Sequence, residues 1–142
     1  MMKTARVKWV ENLKFVGMAP SGHSIALDGP KESGGEDTAV RPGEMILVAL
    51  GGCTAIDVVS MLKKMRVGFR SFEVVVEAEA REEHPKYWTK IHVKYIITGN
   101  NIDESKVKKV IDLSEEKYCS VSALMKKAAE LTYSHEIIPD PA

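Results

Sequence analysis

The longest hydrophobic stretch of the chain runs from Arg41 to Met65, RPGEMILVALGGCTAIDVVSMLKKM, and has the pattern of a single helix. Pro42 stands at its start, where the missing N–H of proline would be unpaired in any helix. Apolar residues cover nearly all sides, which is typical of a buried helix. Asp57 inside the stretch and the basic residues after it argue against a membrane span. We therefore predict a long buried central helix around which the chain folds.

Alternating polar and apolar residues predict strands on both sides of this helix. Before it, the segments 5–10, 15–18 and 23–27 alternate and are separated by turn residues, which indicates a small antiparallel meander. After it, 72–81 and 90–98 alternate, with acidic residues on the polar face of the first and basic residues on that of the second. Opposite charges suit neighbouring antiparallel strands, so we predict a long hairpin whose apolar face covers the central helix.

The remaining segments predict a helical C-terminal part and one loop. The expected elements are a helix over 103–117, a helix over 121–131 and a strand over 133–138. Asp103 is the expected N-cap of the first helix, and Ser120 or Ser122 that of the second. The glycine-rich, charged segment 28–37 before the central helix is either a functional loop or a flexible connector.

Length and composition fit a single domain over residues 1–142. The 20 basic and 20 acidic residues balance, which argues against nucleic acid and against a membrane surface as partners. The first residues lack the apolar core of a signal peptide, so we expect a cytoplasmic location. Structural disulfides are rare in that reducing compartment.

The two cysteines, Cys53 and Cys119, are the strongest candidates for chemistry. They lie 66 positions apart and match no zinc pattern. Cys53 follows Gly51-Gly52 inside the helix, where each glycine costs about 1 kcal/mol relative to alanine. The reason is either close packing of another backbone or room for a small substrate at the thiol. Cys119 precedes the last predicted helix, whose positive end would lower its pKa. The alternative is that both thiols are buried and inert.

Charged residues of the central helix are further candidates. Arg41 and Glu44 lie at its start, where the helix dipole favours a carboxylate. Nine residues at about 100° each place Glu44 opposite Cys53 on an ideal helix. Asp57 shares a face with Cys53, and a bare carboxylate there would raise the thiol pKa. We therefore expect Asp57 to pair with a cation or a backbone group. The four histidines show no ligand spacing, and we predict no metal site.

Three segments together resemble a known family. They are PGEMILVALGGCTAIDVVSMLKKM, EEHPKYWTKIHVKYIITG and LSEEKYCSVSALMKKAAELTYSHEI, and they resemble the OsmC/Ohr family of osmotically inducible protein C and organic hydroperoxide resistance protein. The likeness is strongest to the subgroup with the motifs GGC-x-A-x-DVVS and KYCSVS, and it covers the chain from Gly22 to Ile137. It implies an OsmC-like α+β fold, in which a long buried central helix packs on strongly curved antiparallel sheets. It also implies an intertwined homodimer with two active sites at the subunit interface.

The resemblance further implies a thiol-dependent peroxidase that reduces organic hydroperoxides without a cofactor. Cys53 matches the family's peroxidatic cysteine, Cys119 the resolving cysteine, and Glu44 the glutamate at the helix start. In this chemistry Cys53 becomes a sulfenic acid, Cys119 closes a disulfide with it, and an external lipoyl-type or thioredoxin-like dithiol reduces that disulfide. An apolar pocket supplied by the central helix and the hairpin would select organic peroxides over hydrogen peroxide.

Two departures from the family pattern bear on this expectation. The family's hydroperoxide reductases carry an arginine in the loop before the helix, whereas the loop here, GPKESGGED, has Lys31 and no arginine. Arg41 and Lys31 are the candidates for the activating cation, although lysine lacks the bidentate geometry of arginine. The spacing from Glu44 to Cys53 is also one residue shorter than expected in those reductases. The alternative function is a non-catalytic or weakly catalytic stress-related binding protein with an apolar pocket at the dimer interface.

Overall fold

The computed structural model describes residues 1–141, which divide into two compact units. The first unit covers residues 1–46, and the second starts at Leu47. Helices and two three-stranded sheets make up the chain, so the predicted α+β class is confirmed. The expectation of one domain over residues 1–142 stays a prediction.

The first unit contains the predicted antiparallel meander. Its strands are β1 (Arg6–Glu11), β2 (Lys14–Met18) and β3 (Ser24–Leu27), in the order β1-β2-β3. Gly22, with φ of 90°, lies in the left-handed region at the second turn, where a side chain would be strained. Large apolar side chains on this sheet are exposed in the single chain: Val7, Trp9, Val10, Val16, Met18 and Ile25.

Asp28 organises the loop that follows β3. Its carboxylate accepts hydrogen bonds from the Thr38 hydroxyl at 2.6 Å, the Thr38 N–H at 3.1 Å and the Gly29 N–H at 2.7 Å. These bonds, that of the Thr38 hydroxyl foremost, hold the pKa of Asp28 at about 2. A short 3₁₀ turn, Lys31–Ser33, lies within the loop. The segment therefore has a defined fold of its own.

The central helix α1 (Pro42–Lys64) matches the prediction to within a residue at each end, with Pro42 as its first residue. Its buried residues form one stripe: Leu50, Gly51, Thr54, Val58 and Leu62. On the opposite side Val48 and Ile56 are 68% and 73% exposed. In the single chain the helix is thus buried on one face, whereas its sequence predicted burial on nearly all sides.

By length and composition alone, α1 resembles a membrane-spanning helix. It has 23 residues and a mean hydropathy of 2.1, so the argument from its length and charges against a span does not hold. Two of its polar side chains, Thr54 and Asp57, nonetheless form hydrogen bonds to Ser114 within the second unit. The core helices of globular proteins have the same length and composition.

The sheet of the second unit contains β4 (Ser71–Ala80), β5 (Trp88–Thr98) and β6 (Glu130–Ile138), in the order β4-β5-β6. β4 and β5 form the predicted antiparallel hairpin, and their register places acidic residues opposite basic ones, as in Glu79 and Lys90. β6 pairs parallel to β5, which corrects the expectation of purely antiparallel sheets. The helical segment between β5 and β6 supplies the crossover that parallel pairing requires.

The helices between β5 and β6 are shorter than predicted. α2 (Glu104–Leu113) has the expected N-cap, Asp103, whose carboxylate accepts the Ser105 N–H at 3.0 Å. A π-helical turn, Ser114–Tyr118, replaces the predicted last turn of α2. α3 (Ser120–Met125) follows, and its N-cap is Cys119 rather than the predicted Ser120 or Ser122.

The core of the second unit lies between the inner stripe of α1, the sheet and α2. Fully buried apolar side chains come from all three: Leu50, Val58 and Leu62 from α1, Val93, Tyr95 and Ile97 from β5, and Val107, Val110 and Ile111 from α2. This packing fixes α1 against the π-helical turn and the start of α3. The two cysteines lie on those two segments.

Candidate active site

Cys53 lies at the middle of α1 and is half-buried. The glycines before it differ in their surroundings. A Cβ on Gly51 would lie 3.2 Å from Cγ2 of Val76 on β4, whereas a Cβ on Gly52 would meet nothing within 4 Å. Close packing of a β4 side chain, rather than of another backbone, therefore accounts for Gly51, whereas a Cβ at position 52 would lie in open space.

Cys119 caps α3 and is only 2% exposed. Its sulfur accepts a hydrogen bond from the Ser122 N–H at 3.3 Å. Its own N–H donates to the Ser114 carbonyl at 2.8 Å, so the π-helical turn holds it at the start of α3. The neighbouring Ser120 hydroxyl lies 3.9 Å from Cys53 Sγ.

The two sulfurs and an Asp57 carboxylate oxygen lie within 4.8 Å of one another. Burial acts against the thiolate of Cys53, but hydrogen bonds from the Val121 N–H, the Cys119 thiol and the Ser120 hydroxyl outweigh it and lower its pKa. Cys53 is thus the sulfur that carries negative charge most readily.

Burial raises the pKa of Cys119 to about 12, despite the opposing Ser122 N–H, and the nearby Cys53 and Glu115 add to the increase. This corrects the expectation that the start of α3 lowers the pKa of Cys119. One backbone donor does not compensate for the burial of this thiol. Cys119 therefore stays protonated and donates its S–H to Cys53.

Asp57 lies one helical turn after Cys53, on the predicted face. The Ser114 hydroxyl donates to its Oδ2 at 3.1 Å. This corrects the expectation of a cation or a backbone partner. The three groups Cys53, Asp57 and Cys119 have the chemistry of metal ligands, but sulfur and oxygen atoms up to 4.8 Å apart also fit hydrogen-bonded side chains.

A buried polar network lies behind the cysteines, and sequence patterns did not predict it. The Tyr95 hydroxyl donates to Glu115 at 2.5 Å and lies 2.5 Å from the Thr54 hydroxyl. The Ser122 hydroxyl donates to the second oxygen of Glu115 at 2.6 Å. Burial foremost, together with the bond to Glu115, raises the pKa of Tyr95 far above its usual range. Glu115 lies four residues after buried Ile111, and this spacing was the one signal in the sequence.

The other sequence candidates lie in the first unit. The Arg41 N–H donates to Glu44 Oε1 at 3.0 Å, so this carboxylate closes the first turn of α1. The Arg41 guanidinium lies 2.9 Å from Asp37. Lys31 is exposed in the 3₁₀ turn. The roles assigned to Glu44, Arg41 and Lys31 remain predictions.

Two apolar grooves border the turns of α1 on either side of Cys53. One has a volume of about 420 Å³ and lies between α1 and β4, lined by Leu47, Val48, Gly51, Gly52, Ala55, Val74 and Val76. The other, of about 480 Å³, is lined by Ile56, Asp57, Ser60, Met61, Lys64 and Tyr118. The first groove lies where we expected the apolar pocket, because α1 and β4 of the hairpin line it.

Comparison with known proteins gives a family and several relatives. The family model of OsmC-like protein matches residues 34–134. Protein YhfA of Escherichia coli (strain K12) is 48% identical over 134 residues, which cover 94% of this chain and 97% of the relative. Among solved structures, a hypothetical protein from Aquifex aeolicus VF5 has 29% identity and a TM-score of 0.84 over 99% of both chains.

The fold also occurs in a more distant structure, that of an organic hydroperoxide resistance protein OsmC from Legionella pneumophila. The two chains share 14% identity with a TM-score of 0.69, over 96% of this chain and 97% of that one. At this identity the likeness concerns the fold. The match to the family model and the identity with YhfA confirm the resemblance seen in the sequence: this chain belongs to the OsmC-like protein family.

Proposed function

We propose that the protein is a thiol-dependent peroxidase that reduces organic hydroperoxides. The observation that carries the proposal is the pair of sulfurs within 4.8 Å, one with a lowered and the other with a raised pKa. A thiolate is the nucleophile that a peroxide requires, and a neighbouring protonated thiol is suited to resolve its product. The name of the Legionella pneumophila neighbour, an organic hydroperoxide resistance protein, agrees with this chemistry.

The proposed reaction has three steps. The Cys53 thiolate attacks the terminal peroxide oxygen, which breaks the O–O bond and leaves Cys53 sulfenic acid and an alcohol. Cys119 then attacks the Cys53 sulfur, forming a disulfide and releasing water. An external dithiol reduces this disulfide by exchange and restores both thiols. In the second step the two sulfurs need to approach to about 2.05 Å. They already lie within 4.8 Å of each other, so a local movement of Cys119 at the start of α3 is sufficient.

The substrate class follows from the surface next to Cys53. The groove between α1 and β4 is lined by aliphatic side chains and by Gly52, the residue before the thiol. Such a surface favours a peroxide with an apolar substituent over hydrogen peroxide. Within this proposal, Glu44 orients the start of α1, and Arg41 or Lys31 supplies the activating cation.

A homodimer is part of the proposal. Large apolar side chains are exposed on β1 and β2 in the first unit, and on α1 in the second, where Val48 and Ile56 are 68% and 73% exposed. A monomer rarely leaves that much apolar surface in water, and a second copy of the chain would cover it. Light scattering at micromolar concentration tests this: a monomer mass would contradict the dimer.

A binding protein that keeps the fold but turns over no peroxide is the second candidate. The observation in its favour is the loop before α1, which holds Lys31 and no arginine. Such a protein would place an apolar ligand in the same groove and would need no second thiol. Retention of both Cys53 and Cys119 favours the peroxidase.

The test is reductant-dependent consumption of cumene hydroperoxide or tert-butyl hydroperoxide by the wild type, Cys53→Ser and Cys119→Ser. Dithiothreitol and then dihydrolipoamide serve as reductants. We expect turnover that Cys53→Ser abolishes. One equivalent of peroxide should remove two titratable thiols per wild-type chain. Turnover no faster than that of the free dithiol, with both thiols retained, would refute the peroxidase and favour the binding protein.

A further inference from the structure

A continuous row of hydrogen-bonding groups joins two carboxylates in the second unit, Asp57 beside the sulfurs and Glu115 in the core. The contacts are Ser114 Oγ–Asp57 Oδ2 at 3.1 Å, Ser114 Oγ–Thr54 Oγ1 at 2.8 Å, Thr54 Oγ1–Tyr95 Oη at 2.5 Å and Tyr95 Oη–Glu115 Oε1 at 2.5 Å. We name Ser114, Thr54 and Tyr95 the hydroxyl chain. All three are fully buried, so water does not replace the contacts between them.

The hydroxyl chain has too few protons for its contacts. Three hydroxyl groups supply three protons, whereas four contacts need one proton each. With both carboxylates ionised, Ser114 donates to Asp57 and Tyr95 to Glu115, and Thr54 has a single proton for two contacts. Two lone pairs would then face each other at 2.5 or 2.8 Å. One additional proton on either carboxyl group removes this conflict.

The surroundings of the two carboxyl groups also favour an additional proton. Among residues 1–141, neither Asp57 nor Glu115 takes part in an ion pair. The titratable groups that face the hydroxyl chain are Cys53 and Asp57 from α1, Glu115 and Cys119 from the turn before α3, and Lys126 after it. The Lys126 ammonium donates to the backbone carbonyl of Glu115 at 2.5 Å. Glu115 is buried, and an ionised carboxylate there without an ion-pair partner is costly.

We propose that Asp57 and Glu115 share one proton through the hydroxyl chain, and that Asp57 is the acid that protonates the leaving alcohol. If each hydroxyl of the chain donates to its other neighbour instead, a proton is transferred from one carboxyl group to the other. No additional residue or water is needed for this transfer. Asp57 is the end that faces the sulfurs, within 4.8 Å of both. The role of Asp57 rests on the proposed peroxidase, whereas the shared proton does not.

The protons balance over the three steps. Cys53 thiolate attacks the terminal oxygen, and the departing alkoxide takes the shared proton from Asp57, which leaves Cys53 sulfenic acid, an alcohol and two ionised carboxylates. Cys119 then forms the disulfide, and its thiol proton leaves with the hydroxide as water. The external dithiol supplies two electrons and two protons. One proton returns to Cys119 and the other to the hydroxyl chain, since Cys53 is again a thiolate.

Infrared spectroscopy tests the shared proton directly. We expect the reduced wild type at neutral pH to show the C=O stretching band of a protonated carboxyl group, shifted by exchange into heavy water. Glu115→Gln and Asp57→Asn should each abolish this band and remain folded, because an amide nitrogen donates to the hydroxyl chain as the missing proton would. Glu116→Gln, at the exposed neighbour of Glu115, is the matched control and should retain the band.

Thr54→Val tests whether the shared proton depends on the hydroxyl chain rather than on the presence of the two carboxyl groups. It keeps Asp57 and Glu115 but removes the middle hydroxyl, so Ser114 and Tyr95 each satisfy one ionised carboxylate. The band should therefore disappear, whereas the control Thr98→Val, at another buried threonine, should retain it. A wild type without the band, or a band that survives Thr54→Val, would overturn the shared proton.

Peroxide turnover tests the role of Asp57. General acids typically contribute a factor of about 10²–10⁴, so Asp57→Asn and Glu115→Gln should each slow turnover by roughly 10²-fold, and Glu116→Gln should not. Wild-type turnover in Asp57→Asn would overturn the role of Asp57 as the acid. If the wild type turns over no peroxide, the proposed function fails, and the infrared result still decides whether the proton is shared.

Discussion

The Tyr95 hydroxyl should contribute strongly to stability, and Tyr95→Phe measures that contribution. Tyr95 is 0% exposed, and its hydroxyl lies 2.5 Å from both Glu115 and Thr54. A hydrogen bond to a charged group contributes about 1.5–3 kcal/mol, and a neutral one about 0.5–1.5 kcal/mol. Phenylalanine fills the same space, so no cavity is added. We expect Tyr95→Phe to lower the free energy of unfolding by about 3 kcal/mol.

Tyr133→Phe is the matched control, because its hydroxyl also donates to carboxylates. Tyr133 donates to Asp112 at 2.9 Å and to Glu116 at 3.2 Å, but the side chain is half-buried at the surface. Water replaces those bonds, so the loss should be at most about 1 kcal/mol. Urea unfolding followed by circular dichroism, with equal m-values, gives both numbers. Equal losses in the two variants would refute the importance that we assign to burial.

Three further predictions follow from single contacts. Gly52→Ala should raise the free energy of unfolding by about 1 kcal/mol, whereas Gly51→Ala should gain nothing because its Cβ meets β4 at 3.2 Å; urea unfolding compares them. In Cys53→Ser, alkylation of Cys119 by iodoacetamide should accelerate only well above pH 9.0, because burial still raises the pKa of this thiol. Asp28 has a depressed folded-state pKa, so its stabilisation is complete above 3.8 and lost as the pH falls through about 2. Asp28→Asn should therefore flatten the acid limb of stability measured by circular dichroism.

Elements with strong periodicity were predictable from sequence, and those that depend on distant partners were not. The bounds of α1 and the β4–β5 hairpin follow from apolar runs and alternation, which act locally. The parallel pairing of β6 depends on where the crossover returns the chain, and no local pattern encodes this. The π-helical turn from Ser114 also lies outside a 3.6-residue period, so α2 ends four residues before its predicted end.

The site also contains some features that the sequence predicts and others that depend on distant partners. Glycines before a cysteine in a helix identified Cys53, and the family resemblance identified its partner Cys119. The pKa of Cys119 depends on burial and on Glu115, which the local sequence around α3 does not show. Glu115 stands in the run EEK, which is typical of a solvated helix face. The π-helical turn directs its carboxylate into the core, where Tyr95 and Ser122 donate to it.

A proton on Asp57 would remove a repulsion at the Cys53 thiolate that a loop arginine would otherwise offset. Asp57→Asn tests whether this chain, which lacks the loop arginine, depends on that proton. An ionised Asp57 within 4.8 Å of the Cys53 sulfur acts against the thiolate and raises the pKa of Cys53, in opposition to the hydrogen bonds that this sulfur accepts.

A thiolate at Cys53 attracts the shared proton to the Asp57 end of the hydroxyl chain, which removes this repulsion before any contribution from the proposed cation, Arg41 or Lys31. Asp57→Asn should then change the pKa of Cys53 by well under about one unit, as measured from thiolate absorbance in the Cys119→Ser background. A decrease of more than about one unit would mean that Asp57 is ionised beside the thiolate. The site would then depend on the proposed activating cation, Arg41 or Lys31.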